Sequence, residues 1–302
     1  MSDPVKLTAA VIGLGSMGLG MARSIARAGL SLKAFDVNPK ALEAIADVGQ
    51  GASDIVSATR DCDIVVCVVV NAKQTRDVLL GPQGAVQAMK PGGVVVSCAT
   101  MSPEEARAIG AAVNDAGRLY LDAPISGGPA KAASGQMTIM ASGTRDAFSR
   151  ARPALEAMAG KIYELGDEAG AGASYKMINQ MLAGVHIAAA CEAMSFAAKL
   201  GLDLKKVFEV ITASAGNSWM FENRVPHILD GDYSPKSAVS IFTKDLGIIS
   251  DMGRSEKFPL SLSAAALQMF LMTAAAAMER DDDASVARLL AQIAGVDLPK
   301  PV

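Results

Sequence analysis

The chain has 302 residues, 20% of them charged and 51% hydrophobic, with a formal net charge of −3. That length holds two domains, each with its own core. A charge balance this close to neutral excludes the basic footprint of a nucleic-acid binder or of a protein held on an anionic membrane, so a small molecule is the expected partner.

In chain order, the first half alternates β-branched runs with helical patterns. Thr8–Ile12, Leu32–Phe35, Ile64–Val70, Val94–Ser97 and Leu119–Asp122 read as strands. The unbroken apolar run from Ile64 to Val70 implies strands covered on both faces. Between them, Met17–Ala28, Thr75–Leu79 and Pro103–Ala116 fit crossover helices, with Gly29 and Gly117 as stops. The expected fold class is α/β, a Rossmann-type doubly wound parallel sheet.

From about Tyr175 the apolar residues recur at helical spacing, through Leu200, Leu204–Ala213, Leu246–Met252 and Leu260–Met278. An all-helical C-terminal domain for substrate and dimerisation follows the dinucleotide domain, with the division placed at 1–166 and 167–302. A long helix over roughly Ala173–Leu200 bridges the two. The tail from Gly295 to Val302 is expected to be mobile.

Two apolar segments invite a membrane reading. Leu7–Met21 is broken by glycines and preceded by Asp3 instead of a basic cluster, unlike an export signal. Leu260–Met278 carries Ser261, Ser263, Gln268 and Thr273, so a buried helix is expected there. Cys62, Cys67, Cys98 and Cys191 lack CxxC spacing and read as reduced thiols of a cytoplasmic protein. His186 and His227 have no cysteine pair nearby, and no metal site is expected.

Three motifs carry chemistry. Gly13-Leu14-Gly15-Ser16-Met17-Gly18 follows a strand and opens a helix, the context in which glycines permit a tight turn and close approach of backbone to a pyrophosphate. Asp36 ends the second strand, where a carboxylate accepts the ribose hydroxyls of NAD and repels a 2′-phosphate; Val37-Asn38 offers no arginine. NAD is therefore expected over NADP. Val70, Asn71 and Thr100 stand at later strand ends, towards the nicotinamide. Helix capping is the alternative role for Thr100, one that Ser102 fills equally well.

The second motif is the segment from Asp122 to Gly135, in which Ser126, Gly127 and Gly128 offer one hydroxyl and two backbone N–H groups to a carboxylate. The third places Lys176 near the start of the long helix, with Asn179 and Gln180 three and four positions on. An ammonium at a helix N-terminus is disfavoured by the dipole, as suits a base that takes a hydroxyl proton.

Taken together, GLGSMG from Gly13, DAPISGG from Asp122, GAGASYKMINQ from Gly170 and Phe242-Thr-Lys244-Asp245-Leu resemble the β-hydroxyacid dehydrogenase family over nearly the whole chain. The resemblance implies an NAD-dependent oxidoreductase. It assigns the substrate carboxylate to Ser126, Gly127 and Gly128, acid/base catalysis to Lys176, and a polar neighbour to Asn179 before Gln180. It brings Lys244, with Phe242 and Asp245, to the cofactor.

Within the family, the stretches around Gly216–His227, Leu182–Ala190 and Gly231–Pro235 resemble members that oxidise four-carbon sugar acids such as L-threonate. Asn217, Ser218 and Asn223 then supply polar contacts while Trp219 covers the pocket. Reductases of tartronate semialdehyde or glyoxylate, 3-hydroxyisobutyrate dehydrogenases and a non-catalytic NAD-binding module are the alternatives. The alanine- and methionine-rich helical half points to a homodimer or homotetramer.

Overall fold

The computed structural model describes residues 7–301, so Asp3 and Val302 lie outside the described residues. Among these residues β1 (Thr8–Ile12), β2 (Ser31–Phe35), β3 (Gln50–Gly51), β4 (Ile64–Cys67), β5 (Val94–Ser97) and β6 (Leu119–Asp122) form one sheet in the order β3-β2-β1-β4-β5-β6. Every pairing in it is parallel. Side chains alternate between two cores: Ala9, Val11, Val66 and Val96 face one, and Ala10, Ile12, Val65 and Val95 face the other. That is why the strands read as continuous apolar runs.

The connections are α1 (Gly18–Arg27), α2 (Pro39–Glu43), α3 (Ile55–Thr59), α4 (Ala72–Leu80), α5 (Ala85–Ala88) and α6 (Pro103–Asp115). The chain runs outward from β1 through β2 to β3, then returns to β4 on the other side of β1. This reversal makes the carboxyl ends of β1 and β4 the switch point where ligands bind in such sheets.

After β6 the chain builds a second sheet that the sequence did not announce: β7 (Ile125–Ser126), β8 (Met137–Ala141) and β9 (Ala159–Glu164), with β8 in the centre. α7 (Gly128–Ser134) and α8 (Arg145–Met158) connect them. Pro153 sits inside α8 and masks it from a propensity reading.

The helical half comprises α9 (Ala171–Lys199), α10 (Leu204–Thr212), α11 (Trp219–Asp230), α12 (Val239–Ser255), α13 (Ser261–Thr273) and α14 (Val286–Ala294). Its core gathers Met177, Ile187, Cys191, Met194, Val225, Phe242 and Phe270. The chain divides into two compact units between Lys176 and Met177. This falls within α9, ten residues beyond the division expected at 166/167, because side chains of the first unit hold the start of the helix.

Two expectations need correction. The segment from Ser261 is no buried helix: Leu262, Leu271 and Met272 are exposed, and its regular winding ends at Thr273 in a wide turn, Ala274–Met278, where Ala277 has φ +63°. It and α9 are long and apolar enough to cross a membrane by length and composition alone. The C-terminal tail is also packed, since Leu298 rests on the helical core and the backbone of Pro299–Pro301 lies within 3 Å of the Cβ position of Gly231.

Candidate active site

The glycine turn after β1 fits a dinucleotide by direct steric test. A Cβ on Gly13 would fall 2.4 Å from the Val68 carbonyl oxygen, and one on Gly18 1.9 Å from that of Gly13. One on Gly15 meets nothing within 4 Å. Gly13 and Gly18 therefore build the turn, and Gly15 leaves an open approach for a pyrophosphate over Leu14, Ser16 and Met17. Asp36 is oriented beforehand, accepting from the Leu14 N–H at 2.6 Å and the Asn38 N–H at 2.7 Å. Each oxygen keeps a lone pair for a ribose hydroxyl.

At the other strand ends, the Val70 side chain is exposed, and its N–H donates to Gln74. Asn71 caps α4 by accepting from the Gln74 N–H at 2.9 Å, so its side-chain oxygen has a structural task. Thr100 is half-buried, and Ser102 caps α6, accepting from the Glu105 N–H at 3.2 Å.

The segment expected to be a loop cradle is a strand, a turn and a short helix. Ser126 ends β7, opposite Thr138, and Gly127 and Gly128 take φ of +140° and +79° before α7 winds. Glycine is required there because L side chains strain in that region. Lys131 leans across Gly127, where a Cβ would meet its side chain at 2.8 Å, whereas the Cβ position of Gly128 is open.

Asp122, which opens the same segment, has a role that its sequence context did not reveal. Its carboxylate is 1% exposed and accepts from the Gly170 N–H at 2.9 Å and the Ala173 N–H at 2.8 Å. Ser142, paired with Asp122 through the backbone, accepts from the Gly172 N–H at 2.9 Å. These side chains satisfy amides at the start of α9, which the helix itself cannot. Burial pushes the Asp122 carboxyl up to about 6, against the lowering effect of these N–H donors.

One carboxylate thus ties the Ser126–Gly128 segment to the helix that carries Lys176, within one compact unit. Lys176 is buried, five residues beyond the helix start. That is past the first turn, where the dipole acts, so the dipole argument loses most of its force. Gln180 is buried at the i+4 position of the same helix, and Asn179 is half-buried and donates to Gln180 at 3.0 Å.

In the helical unit, Phe242 and Asp245 are both buried. Phe242 is 2% exposed and stacks on Phe270 with ring centroids 5.1 Å apart. Asp245 is fully buried and held by Lys244 at 2.6 Å and Gln180 at 2.5 Å. Lys244 keeps some exposure.

Ser218 caps α11, accepting from the Phe221 N–H at 3.0 Å, and keeps a hydroxyl proton to donate, while Trp219 is 54% exposed. Asn217 donates to Thr212 and Glu222, and Asn223 accepts from Arg224, so both are engaged inside the unit. His227 is latched between Asp282 at 2.8 Å and Lys236 at 2.9 Å. The four cysteines are buried free thiols, and burial pushes Cys62 and Cys67 up to about 11 and about 12.

Residues 8–166 match the family described as the NAD binding domain of 6-phosphogluconate dehydrogenase, and residues 170–290 the one described as NAD-binding of NADP-dependent 3-hydroxyisobutyrate dehydrogenase. The chain belongs to the β-hydroxyacid dehydrogenase family.

This dehydrogenase is 53% identical over 291 residues to an L-threonate dehydrogenase of Cupriavidus necator, covering 96% of this chain and 97% of that protein. An L-threonate dehydrogenase of Escherichia coli K12 is 46% identical, with 96% and 95% covered. A crystal structure named 3-hydroxyisobutyrate dehydrogenase, from Salmonella typhimurium, superposes with a TM-score of 0.90 at 46% identity, covering 94% of this chain and all of that one. The dehydrogenase is thus an oxidoreductase acting on a CH–OH group, with a nicotinamide dinucleotide as cofactor, as the motifs implied.

Proposed function

We propose that the protein oxidises L-threonate, a four-carbon sugar acid, to its 2-keto acid with NAD, Lys176 serving as the acid/base residue. The observation that carries the substrate is the end-to-end similarity, at 46–53% identity, to proteins named L-threonate dehydrogenase. When bound, NAD supplies the hydride acceptor. Ser126, Gly127 and Gly128 hold the substrate carboxylate by one hydroxyl and two backbone N–H groups. Lys176 takes the hydroxyl proton at Nζ, so the alkoxide never accumulates. Gln180, Ser218 and Trp219 of the helical unit are proposed as further substrate residues.

Asp36 supports NAD over NADP, since a 2′-phosphate would meet its carboxylate and the adjoining Val37 and Asn38 carry no positive charge. Strong preference for NADP in initial rates would overturn that assignment. A panel of three- and four-carbon hydroxy acids, scored by NAD reduction, tests the substrate. Turnover of 3-hydroxyisobutyrate without threonate would favour the name carried by the Salmonella structure and reject ours. Lys176→Ala tests the mechanism: turnover is expected to fall by roughly a hundredfold or more while NAD affinity holds.

The active protein is further read as a cytoplasmic homodimer or homotetramer. Support comes from apolar side chains left exposed on α9 (Ile178, Leu182, Phe196) and α13 (Leu262, Leu271), surface of the kind that a second copy covers.

A further inference from the structure

Beyond α11 the chain folds back and brings an exposed lysine against a buried histidine. Gly231 ends the helix in the left-handed conformation. The backbone that follows is tied to the turn before α14, where the Asp282 N–H donates to the Tyr233 carbonyl and the Asp283 N–H to that of Ser237. Lys236 thereby returns to His227, nine residues behind it, with Nζ 2.9 Å from Nε2. The imidazole is 6% exposed, and its Nδ1 lies 2.8 Å from Asp282 Oδ1. Asp282 is fully buried and accepts two further N–H groups, from Lys236 at 3.0 Å and from Ala284 at 3.1 Å. Burial raises its carboxyl, yet the His227 bond and these N–H groups hold it below the usual carboxylate range. An ionised Asp282 is an acceptor only, so Nδ1 carries the proton and Nε2 turns its lone pair to Lys236.

The sequence of contacts is that of an activated nucleophile: a reacting group, a base in hydrogen-bond reach, and a third group that orients the base. Here the reacting group is an amine on an exposed residue. A free lysine amine that spends one N–H on Nε2 directs its own lone pair away from the buried ring. We propose that Lys236 is a self-activated acylation site, at which Nζ attacks an activated acyl donor, an acyl phosphate or an acyl thioester, with His227 as general base and Asp282 as its positioning residue. The bond from Nζ to the acyl carbon forms while the bond from that carbon to the phosphate oxygen or thiol sulfur breaks, and the leaving group departs with the electron pair. As it bonds, the nitrogen becomes acidic, and the proton that it shares with Nε2 passes to the ring and on to solvent. Nothing is oxidised or reduced. The product amide keeps one N–H for Nε2, so the modification removes a charge and leaves the contact.

The full chain, incubated with acetyl phosphate at mildly alkaline pH and digested for mass spectrometry, gives an initial acetylation rate for each lysine. Lys205 and Lys257, exposed in the same unit, set the background. Lys236 is expected to react roughly tenfold or more faster than either. His227→Gln keeps a polar acceptor without a base, and should bring Lys236 to the background while Lys205 and Lys257 keep their rates. A second measurement needs no variant. Unfolding the parent in urea should abolish the advantage, because the base is oriented by a carboxylate 55 residues away.

A thioester, S-acetyl-N-acetylcysteamine, run in parallel identifies the donor class as the one that labels Lys236 with the larger excess over background. Three results would each overturn the proposal: no preference for Lys236 with either donor, a preference that survives in folded His227→Gln protein, or one that survives in urea.

Discussion

Glycines of one motif carry different loads. Gly18→Ala puts a methyl group 1.9 Å from a carbonyl oxygen, whereas Gly15→Ala puts one into open space. Gly15→Ala is expected to melt within a few degrees of the parent while its KM for NAD rises roughly tenfold or more, since only the approach of the pyrophosphate is blocked. Gly18→Ala should instead lose several degrees, and thermal melts with and without NAD separate the two. Asp122 yields a pH test. Its folded value of about 6 exceeds the ordinary 3.8, so between those limits the native state holds a proton that the unfolded chain has released. Its stabilising contribution is thus full below pH 3.8 and lost as pH rises through 6, an effect on the order of 3 kcal/mol at most. Urea titrations between pH 4 and 7 should show the parent losing ground to Asp122→Asn as pH rises. A pH-independent difference would rule this out.

At the scale of elements, α13 ends where Ala277 adopts a left-handed conformation that costs an L residue about 1 kcal/mol. The residue is exposed, so Ala277→Gly sacrifices no packing. It is expected to raise unfolding free energy by about 1 kcal/mol in chemical denaturation; unchanged or lowered stability would contradict strain at this turn. The α9 helix shows the opposite situation. It is apolar on the side built into the helical core, through Ile187, Cys191 and Met194, and again where Ile178, Leu182 and Phe196 stand exposed. No one-sided periodicity marks it, yet it holds Lys176 and Gln180 in register because an uninterrupted α-helix fixes the i, i+4 relation.

At the scale of the whole molecule, the exposed apolar side chains of α9 and α13 lead to the expectation that sedimentation equilibrium returns a dimer or larger. Leu262→Asp with Leu271→Asp should shift that mass towards the monomer, and a parent already monomeric at micromolar concentration would remove the argument. The sequence by itself determined the parallel sheet, because strands buried on both faces must be apolar at every position. It also determined the dinucleotide turn, because glycine spacing and a carboxylate at the next strand end are local requirements. Tertiary structure alone decided the rest. The β7-β8-β9 sheet is held by pairing between distant short segments, and α8 and α11 contain Pro153 and Pro226, which propensity counts against a helix. The task of Asp122 depends on amides 48 and 51 residues away, and that of Asp245 on a glutamine 65 residues away. A carboxylate declares its partner only when the chain has brought the donor to it, and no spacing rule encodes that meeting.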